Sequence, residues 1–213
     1  MMLFHRVTSS VLFVSSHRPS VNVHRRSRIS VAPTKLYRRK VSFIATMEAP
    51  PPGYRTNVGI CLINASFDKI FLASRLDIPS SWQMPQGGVD KGEDPQNAAI
   101  RELREETGVV SAELLAQVPY WLTYDFPLDV REKLNERWGS NWKGQAQKWF
   151  LFKFLGKDDE INLLGDGSEK PEFGEWSWMT PQQVIELAVE FKKPVYAEVL
   201  KFFAPHLQSS SIE

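Results

Sequence analysis

Three glutamates of this 213-residue chain have a spacing that favours metal-ion chemistry. In an α-helix, Glu102 lies three residues from Glu105 and four from Glu106, so their carboxylates can converge on one side. Like charges at this spacing repel each other, and a hard cation would offset the repulsion. All-oxygen ligands favour Mg²⁺ or Mn²⁺ over zinc. Such an ion can offset charge at an attacked phosphorus atom and lower the pKa of water.

A glycine-rich loop, residues 82–93, precedes these glutamates, and its glycines let the backbone approach a ligand closely. Arg101 can hold neighbouring carboxylates by bidentate hydrogen bonds. The alternative is a solvated helix face, on which Glu102 and Glu105 pair with nearby arginines. A site is favoured, because a solvated face does not account for several further residues at fixed spacing. These residues are Gly87, Glu93, Arg101, Gly108 and Val109.

The helix that carries the glutamates has recognisable ends. Asp94 suits the N-cap and Pro95 suits the first helical position. Gly108 suits the C-terminal cap, so the predicted helix spans residues 94–107.

The remaining apolar segments predict strands and two further helices. The strands are expected at residues 58–63, 69–73, 118–124, 148–154 and 175–179. The first two strands flank a turn and predict a β-hairpin. A capping-box pattern at Thr180 opens one helix, and another is expected at residues 194–206. Strands mixed with flanking helices predict an α/β sandwich with one core.

The connection at residues 125–143 is long, which predicts a substrate-facing loop. Its tryptophans, Trp138 and Trp142, could stack on a purine beside its arginines. They could equally pack against the sheet, and the sequence leaves both alternatives open.

The N-terminal segment differs sharply from the rest of the chain. Residues 1–47 contain no Asp or Glu and nine of the 26 Lys and Arg residues, which leaves 17 basic against 25 acidic residues, about −8, for the remainder. An acid-free segment rich in Arg and Ser predicts a disordered organelle transit peptide, for the chloroplast or alternatively the mitochondrion. The alternative interpretation is a basic arm that tethers the protein to nucleic acid or a membrane.

The segment boundaries follow from composition. Successive prolines predict a linker at residues 48–53, and the folded domain is expected at 54–207 with a tail at 208–213. No apolar run approaches the length of a membrane span, so no membrane partner is expected. The oligomeric state stays open.

The spaced residues around the glutamates resemble the Nudix box at each of its fixed positions. These positions are Gly87, Glu93, Arg101, Glu102, Leu103, Glu105, Glu106, Gly108 and Val109. The resemblance implies an α/β/α Nudix sandwich with a mixed β-sheet and dependence on a divalent metal. It also implies attack by water on a nucleoside diphosphate linked to another group, with Arg101, Glu102, Glu105 and Glu106 in the catalytic site.

Beyond the box, residues 54–207 resemble the plant dinucleoside polyphosphate hydrolases and the bacterial RNA pyrophosphohydrolases. This resemblance implies that Glu172 contributes to the metal and water site from far along the chain. It also implies that Arg55, Tyr124 and Lys148 contact phosphates or a base. Gly87 and Gly88 are expected to line the same substrate site.

The resemblance implies a nucleotide substrate, and diadenosine tetraphosphate, cleaved asymmetrically to ATP and AMP, is the first expectation. The 5′ end of RNA and guanosine tetraphosphate are alternative substrates of the same chemistry. A Nudix domain that binds a nucleotide without cleaving it is a further alternative, although such a domain would be expected to lack metal ligands. The sequence does not identify which glutamate acts as general base.

Overall fold

The computed structural model describes residues 49–78, 80–165, 167 and 170–207. The predicted transit peptide at 1–47 and the predicted tail at 208–213 lie outside these residues. Among the described residues, no helix combines the length and the apolar character that crossing a membrane requires.

The chain forms strands and helices in alternation. The strands are β1 (Tyr54–Ile63), β2 (Ile70–Arg75), β3 (Trp82–Gln83), β4 (Gln86–Gly88), β5 (Ala112–Gln117), β6 (Leu122–Asp125), β7 (Gly144–Phe154) and β8 (Phe173–Met179). The α-helices are α1 (Pro95–Thr107), α2 (Leu128–Trp138), α3 (Pro181–Leu187) and α4 (Lys193–Phe203), and 3₁₀ turns occur at Asp158–Glu160 and Ala204–His206.

The strands form one mixed sheet, as predicted. Parallel pairing joins β1 to β7 from Tyr54 opposite Gly144 to Ile63 opposite Lys153. The other pairings are antiparallel: β2 and β4 with β1, β5 and β6 with β7, and β3 and β8 with β2. The predicted hairpin is confirmed by the pairing of Ile63 with Ile70.

Helices cover both faces of the sheet because strand side chains alternate between the faces. On one face, Val58 and its alternate neighbours pack with Leu103 and other apolar residues of α1. On the other face, Cys61 and Trp149 pack with Tyr196 and further residues of α4. The predicted α/β/α sandwich is therefore confirmed.

The ends of α1 match the prediction from sequence. The Asp94 side chain accepts hydrogen bonds from the backbone N–H groups of Gln96 and Asn97. Gly108 adopts a φ of 72°, and its N–H donates to the carbonyl of Arg104. The capping box predicted at Thr180 is also present.

The prediction of a loop at residues 125–143 is wrong, because this segment contains α2. No residue of α2 is fully buried, and Val130, Leu134 and Trp138 are half-buried against the core, so its apolar stripe is weaker than that of α1. The helix follows Pro127 and ends at Gly139, whose φ of 58° suits a C-cap glycine.

The predicted strand at residues 118–124 is also wrong in its bounds. The chain instead forms β5 and β6, and residues 118–121 lie between them. Val118 and Trp121 are buried although they lie outside both strands, which gave the connection the apolar composition of a strand. The last predicted helix has its final turn, Ala204–His206, as a 3₁₀ turn.

Candidate active site

A cleft of about 770 Å³ brings most of the predicted site residues together. The predicted residues that line it are Arg55, Gly87, Gly88, Arg101, Glu102, Glu105, Glu106, Tyr124 and Glu172. Its walls come from β1, β4, α1, α2, β6 and the segment before β8, so residues far apart in sequence face one space.

Arg101 organises the carboxylates of α1. Its guanidinium forms a bidentate pair with Glu93, with both N–O distances at 2.9 Å. It also donates to Glu102 at 2.9 Å, to Glu105 at 2.8 Å and to the carbonyl of Gly88 at 2.9 Å. All five N–H donors of the guanidinium are therefore used.

Two glycines of the cleft permit charged side chains to approach the backbone closely. A Cβ on Gly87 would lie 1.8 Å from the carboxyl carbon of Glu102, and a Cβ on Gly88 would lie 2.4 Å from an Nη atom of Arg55. Both glycines belong to β4, which pairs with β1. A side chain at either position would displace a charged group of the site.

The carboxylates are held in an environment that disfavours their charge. Burial raises the pKa of Glu102 to about 7, despite its hydrogen bond to Arg101. Burial also raises the pKa of Glu106 well above its ordinary value, and the charges of Glu172 and Glu102 add to this effect. The Glu106 carboxylate accepts a hydrogen bond from the backbone N–H of Gln86 at 2.9 Å.

Glu172 reaches the cleft from the segment before β8. Its carboxylate forms an ion pair of 2.7 Å with Arg75, and its side chain is 49% exposed. Arg75 also makes a two-point ion pair with Asp77, at 2.6 and 2.9 Å. The structure therefore places Glu172 beside the α1 carboxylates, with Arg75 as its present partner.

The donor chemistry of these residues fits a divalent cation. Like-charged, partly buried oxygen ligands repel one another, and a hard cation is the ligand that offsets this repulsion. In the part of the chain that the structure describes, no three His, Cys, Asp or Glu side chains form a ready-made metal cluster. Arg101 pairs with one oxygen each of Glu102 and Glu105, and Arg75 with one oxygen of Glu172, whereas the Glu106 carboxylate accepts from the backbone N–H of Gln86.

The cleft contains a buried lysine that the sequence reasoning missed. Lys192 donates to the amide oxygens of Gln83 at 2.7 Å and Gln86 at 2.9 Å. Burial lowers its pKa to about 7, and the positive charge of Arg75 acts in the same direction. The negative charges of Glu106, Glu172 and Asp77 oppose this shift.

Arg75 and Lys192 were missed because they lie outside the box, on β2 and just before α4. The sequence offered one indication of where the polar cleft lies, namely polar residues within otherwise buried strands. Asn57 pairs in register with Gln147, and Arg55 with Gln145, at the start of two otherwise apolar strands. Such residues are expected to face a polar space rather than the core.

Tyr124 lines the cleft but is only 3% exposed. Its hydroxyl donates to the side-chain oxygen of Gln145, and its ring lies 5.6 Å from that of Phe191 and 5.8 Å from that of Phe126. The ring is therefore engaged within the cleft wall.

Lys148 is not among the residues that line the cleft. Its Nζ donates to the carbonyl of Pro119 at 2.9 Å and lies 5.9 Å from the centroid of the Trp121 ring. Strand alternation places it on the sheet face opposite Gln147. The structure thus does not bring Lys148 together with the other predicted site residues.

An α/β/α sandwich with a carboxylate-bearing helix beside a glycine-containing strand and cationic side chains suits a hydrolase that acts on phosphate anhydrides. The NUDIX domain family model matches residues 53–199, and the chain belongs to the Nudix hydrolase family.

Curated relatives support the same assignment. Nudix hydrolase 26, chloroplastic, of Arabidopsis thaliana is 66% identical over 193 residues, which cover 91% of this chain and 86% of the relative. The RNA pyrophosphohydrolase of Rhodospirillum rubrum is 49% identical over 147 residues, which cover 69% of this chain and 85% of the relative.

Solved structures resemble the fold. The E. coli dihydroneopterin triphosphate pyrophosphohydrolase gives a TM-score of 0.56 at 16% identity, covering 70% of this chain and 98% of that one. A C. elegans Ap4A hydrolase in a binary complex gives a TM-score of 0.51 at 22% identity, covering 71% and 98%. At these identities the likeness concerns the fold alone.

Replacing Glu106 tests its role directly. Glu106→Gln should lower turnover by about 100-fold or more, the loss expected for a positioned charged group at a reaction centre. The free energy of unfolding should not fall, because the substitution removes a buried charge and keeps the acceptor for Gln86. Steady-state kinetics with Mg²⁺ and urea denaturation give the two values. Glu113→Gln, at an exposed position of β5, is the matched control, and near-normal turnover of Glu106→Gln would contradict the assignment.

Replacing Lys192 tests the electrostatics of the cleft. Lys192→Met should raise the free energy of unfolding at neutral pH, because an apolar chain of similar length replaces a buried ammonium group. The pKa of Lys192 is about 7 in the folded protein against an ordinary 10.5, so the unfolded chain binds more protons between these pH values. The free energy of unfolding of the wild type should therefore fall short of that of Lys192→Met by the full amount below about pH 7. This deficit should shrink as the pH rises toward 10.5.

Urea denaturation of wild type and variant at about pH 6.5 and about pH 9 measures this deficit. Lys201→Met, at an exposed position of the same helix region, controls for loss of a lysine. A deficit that is independent of pH, or that grows as the pH rises, would show that Lys192 is not a destabilising buried cation.

Proposed function

We propose that this Nudix hydrolase cleaves a P–O–P link of diadenosine tetraphosphate and related dinucleoside polyphosphates asymmetrically, giving ATP and AMP, with Mg²⁺ or Mn²⁺. The observation that carries the proposal is that the α1 carboxylates and cationic side chains from other elements line the same cleft. A cavity of about 770 Å³ has the size of sites that bind nucleotide-sized ligands.

The charge balance of the cleft supports a metal–polyphosphate ligand. Six acidic and six basic side chains line the cleft, so their formal charges cancel. The basic residues are Arg55, Arg75, Arg101, Arg137, Lys170 and Lys192, and the acidic residues are Asp77, Asp90, Glu102, Glu105, Glu106 and Glu172. A bound divalent cation makes the sum positive, which favours a polyanion.

The basic residues differ in what they can offer a phosphate. Arg101 and Arg75 are already paired with carboxylates. Lys192 is held by two neutral amide oxygens, and Arg55 lies over the ring of Trp138. Arg55 therefore keeps its positive charge for the substrate, and Lys192, whose pKa is about 7, is favoured in its charged form when an anionic phosphate binds beside it.

Hydrolysis then requires water to attack one phosphorus atom while the P–O bond to the departing nucleotide breaks. A carboxylate of the α1 cluster accepts the proton of that water. Glu102, Glu105, Glu106 and Glu172 would hold the divalent cation, which when bound offsets phosphate charge and promotes deprotonation of water. Arg101 keeps the α1 carboxylates in place throughout.

Apolar lining supports a ligand that carries a base as well as phosphates. Leu76 and Ile78 are 62% and 41% exposed, yet both line the cleft. Val130 and Leu134 of α2 line it too. Exposed apolar residues around a charged cleft suit the ring system of a nucleoside.

A second candidate, removal of pyrophosphate from the 5′ end of RNA, is favoured by one observation. Five relatives named RNA pyrophosphohydrolase are 46–49% identical over stretches that cover 69–72% of this chain. The chemistry at the phosphorus atom is the same in both candidates, so the same α1 carboxylates would serve either reaction.

Product analysis with competing substrates separates the candidates. Residues 48–213 would be supplied with Mg²⁺ and equal concentrations of diadenosine tetraphosphate, triphosphorylated RNA and guanosine tetraphosphate. Fastest release of ATP plus AMP is expected, and a chelator should abolish it because nucleotide binding needs the added positive charge. Preference for RNA or guanosine tetraphosphate would replace the proposed substrate. Absence of metal-dependent cleavage of all three would indicate a nucleotide-binding module instead.

We also propose that the chain is imported into the chloroplast. Its relative named chloroplastic matches 193 residues, which exceeds the 154 residues of the predicted domain 54–207 and therefore includes part of the N-terminal segment. A fluorescent protein fused to residues 1–60 should accumulate in chloroplasts of plant cells. Mitochondrial or diffuse fluorescence would refute chloroplast import, and a fusion beginning at Met47 is the matched control.

A further inference from the structure

We propose that Trp138 is a positioning residue for the reaction: its ring holds the guanidinium of Arg55 toward the carboxylate end of the cleft. Helix α2, which has no fully buried residue, thereby sets the affinity of the cleft for phosphate. This inference rests on the proposed function, because it assumes that Arg55 binds phosphate of the substrate.

The placement of Arg55 depends on a neutral partner. Its Cζ atom lies 4.7 Å from the centroid of the Trp138 ring, a cation–π distance. Among the described residues, its guanidinium has no hydrogen bond or ion pair to a carboxylate. Its Nη2 atom would lie 2.4 Å from a Cβ at Gly88, so the charged group passes close to the glycine strand beside α1.

The charges near Arg55 show which end of the cleft it faces. Burial lowers its pKa, and the negative charges of Glu102, Glu172 and Asp90 act against this shift. Two of these three acids belong to the predicted metal site. Arg55 is therefore close enough to influence a phosphate bound there without itself being neutralised by an ion pair.

Trp138 is itself fixed by local contacts. It is the last residue of α2, and its ring lies 6.1 Å from that of Phe126. The Asn135 side chain accepts hydrogen bonds from the Ser140 hydroxyl and the Trp142 N–H, both at 2.9 Å, and donates to the Trp142 carbonyl at 3.0 Å. These bonds fix the C-terminal turn of a helix that has no buried residue.

A rigid aromatic support has a specific advantage for a long cationic side chain. An arginine loses side-chain conformational entropy when it is fixed in one rotamer. Stacking on a tryptophan restricts that freedom before the ligand binds and leaves the N–H donors at the edge of the guanidinium free. Trp138 thus reduces the entropy that Arg55 loses on binding phosphate, without lowering its charge.

A double-mutant cycle with Arg55→Ala tests this positioning role. Trp138→Leu should lower kcat/KM by about tenfold, mainly through a higher KM, because a stacked cation loses its support. In the Arg55→Ala background, the same substitution should change kcat/KM by less than about twofold. Trp138→Phe, which retains an aromatic face, should restore most of the loss. Equal effects of Trp138→Leu in both backgrounds would overturn the proposal.

Folding and substrate identity are controlled separately. Trp142→Leu, in the segment after α2, controls for loss of a tryptophan, and thermal unfolding establishes that each variant is folded. Trp138→Met replaces Trp138→Leu in the cycle if the leucine variant does not fold. The kinetics use whichever substrate the wild type hydrolyses, so failure of the dinucleotide assignment does not affect them.

Calorimetric binding of inorganic tripolyphosphate with Mg²⁺ provides a readout that does not depend on turnover. Trp138→Leu should weaken binding about tenfold when Arg55 is present and leave it unchanged in the Arg55→Ala background. Binding that is unaffected in both backgrounds would overturn the positioning role even if the enzyme hydrolyses dinucleotides.

Discussion

The guanidinium of Arg101 is the interaction on which the site depends. It draws together Glu93 from the loop, Glu102 and Glu105 from α1, and the carbonyl of Gly88 from β4. Without it, the two α1 carboxylates would repel each other, and β4 would keep the hydrogen bond from the Gln86 N–H to Glu106 but lose the contact of Gly88 with the helix. This explains the spacing of Glu93, Glu102 and Glu105 relative to Arg101 in the Nudix box. Each of these residues must lie within reach of one planar guanidinium that has five donors.

Near the Arg101 ion pairs, the cleft contains two buried ionisable groups whose burial lowers the stability of the fold. Glu106 and Lys192 are buried on different elements, and burial disfavours the charged form of each. They are not hydrogen bonded to each other. Lys192 donates to two amides, and Glu106 accepts from the backbone N–H of Gln86. A substrate phosphate and a cation are the partners that would relieve both groups, so binding and stability are expected to be coupled.

The sequence was sufficient for features determined by local spacing and insufficient for those determined by tertiary contacts. Helix α1 and its caps were predicted because Asp94 and Gly108 act on the backbone next to them. Helix α2 was missed because its apolar residues are only half-buried or, like Leu128, exposed, which weakens the apolar period in the sequence. Lys192 reaches the cleft only through the packing of distant elements, which no local pattern records.

The cations of the cleft differ in the kind of partner that holds each of them in place. Arg101 and Arg75 are held by carboxylates, which fixes them but neutralises their charge toward any other anion. Lys192 is held by amides and Arg55 by an aromatic ring, so neither is fixed by an ion pair with a carboxylate. Because acidic and basic residues in the cleft are equal in number, pairing every cation with a carboxylate would leave attraction for a polyphosphate to the bound metal ion alone. Neutral partners leave Arg55 charged and leave Lys192, whose pKa is about 7, able to gain a proton when an anion binds.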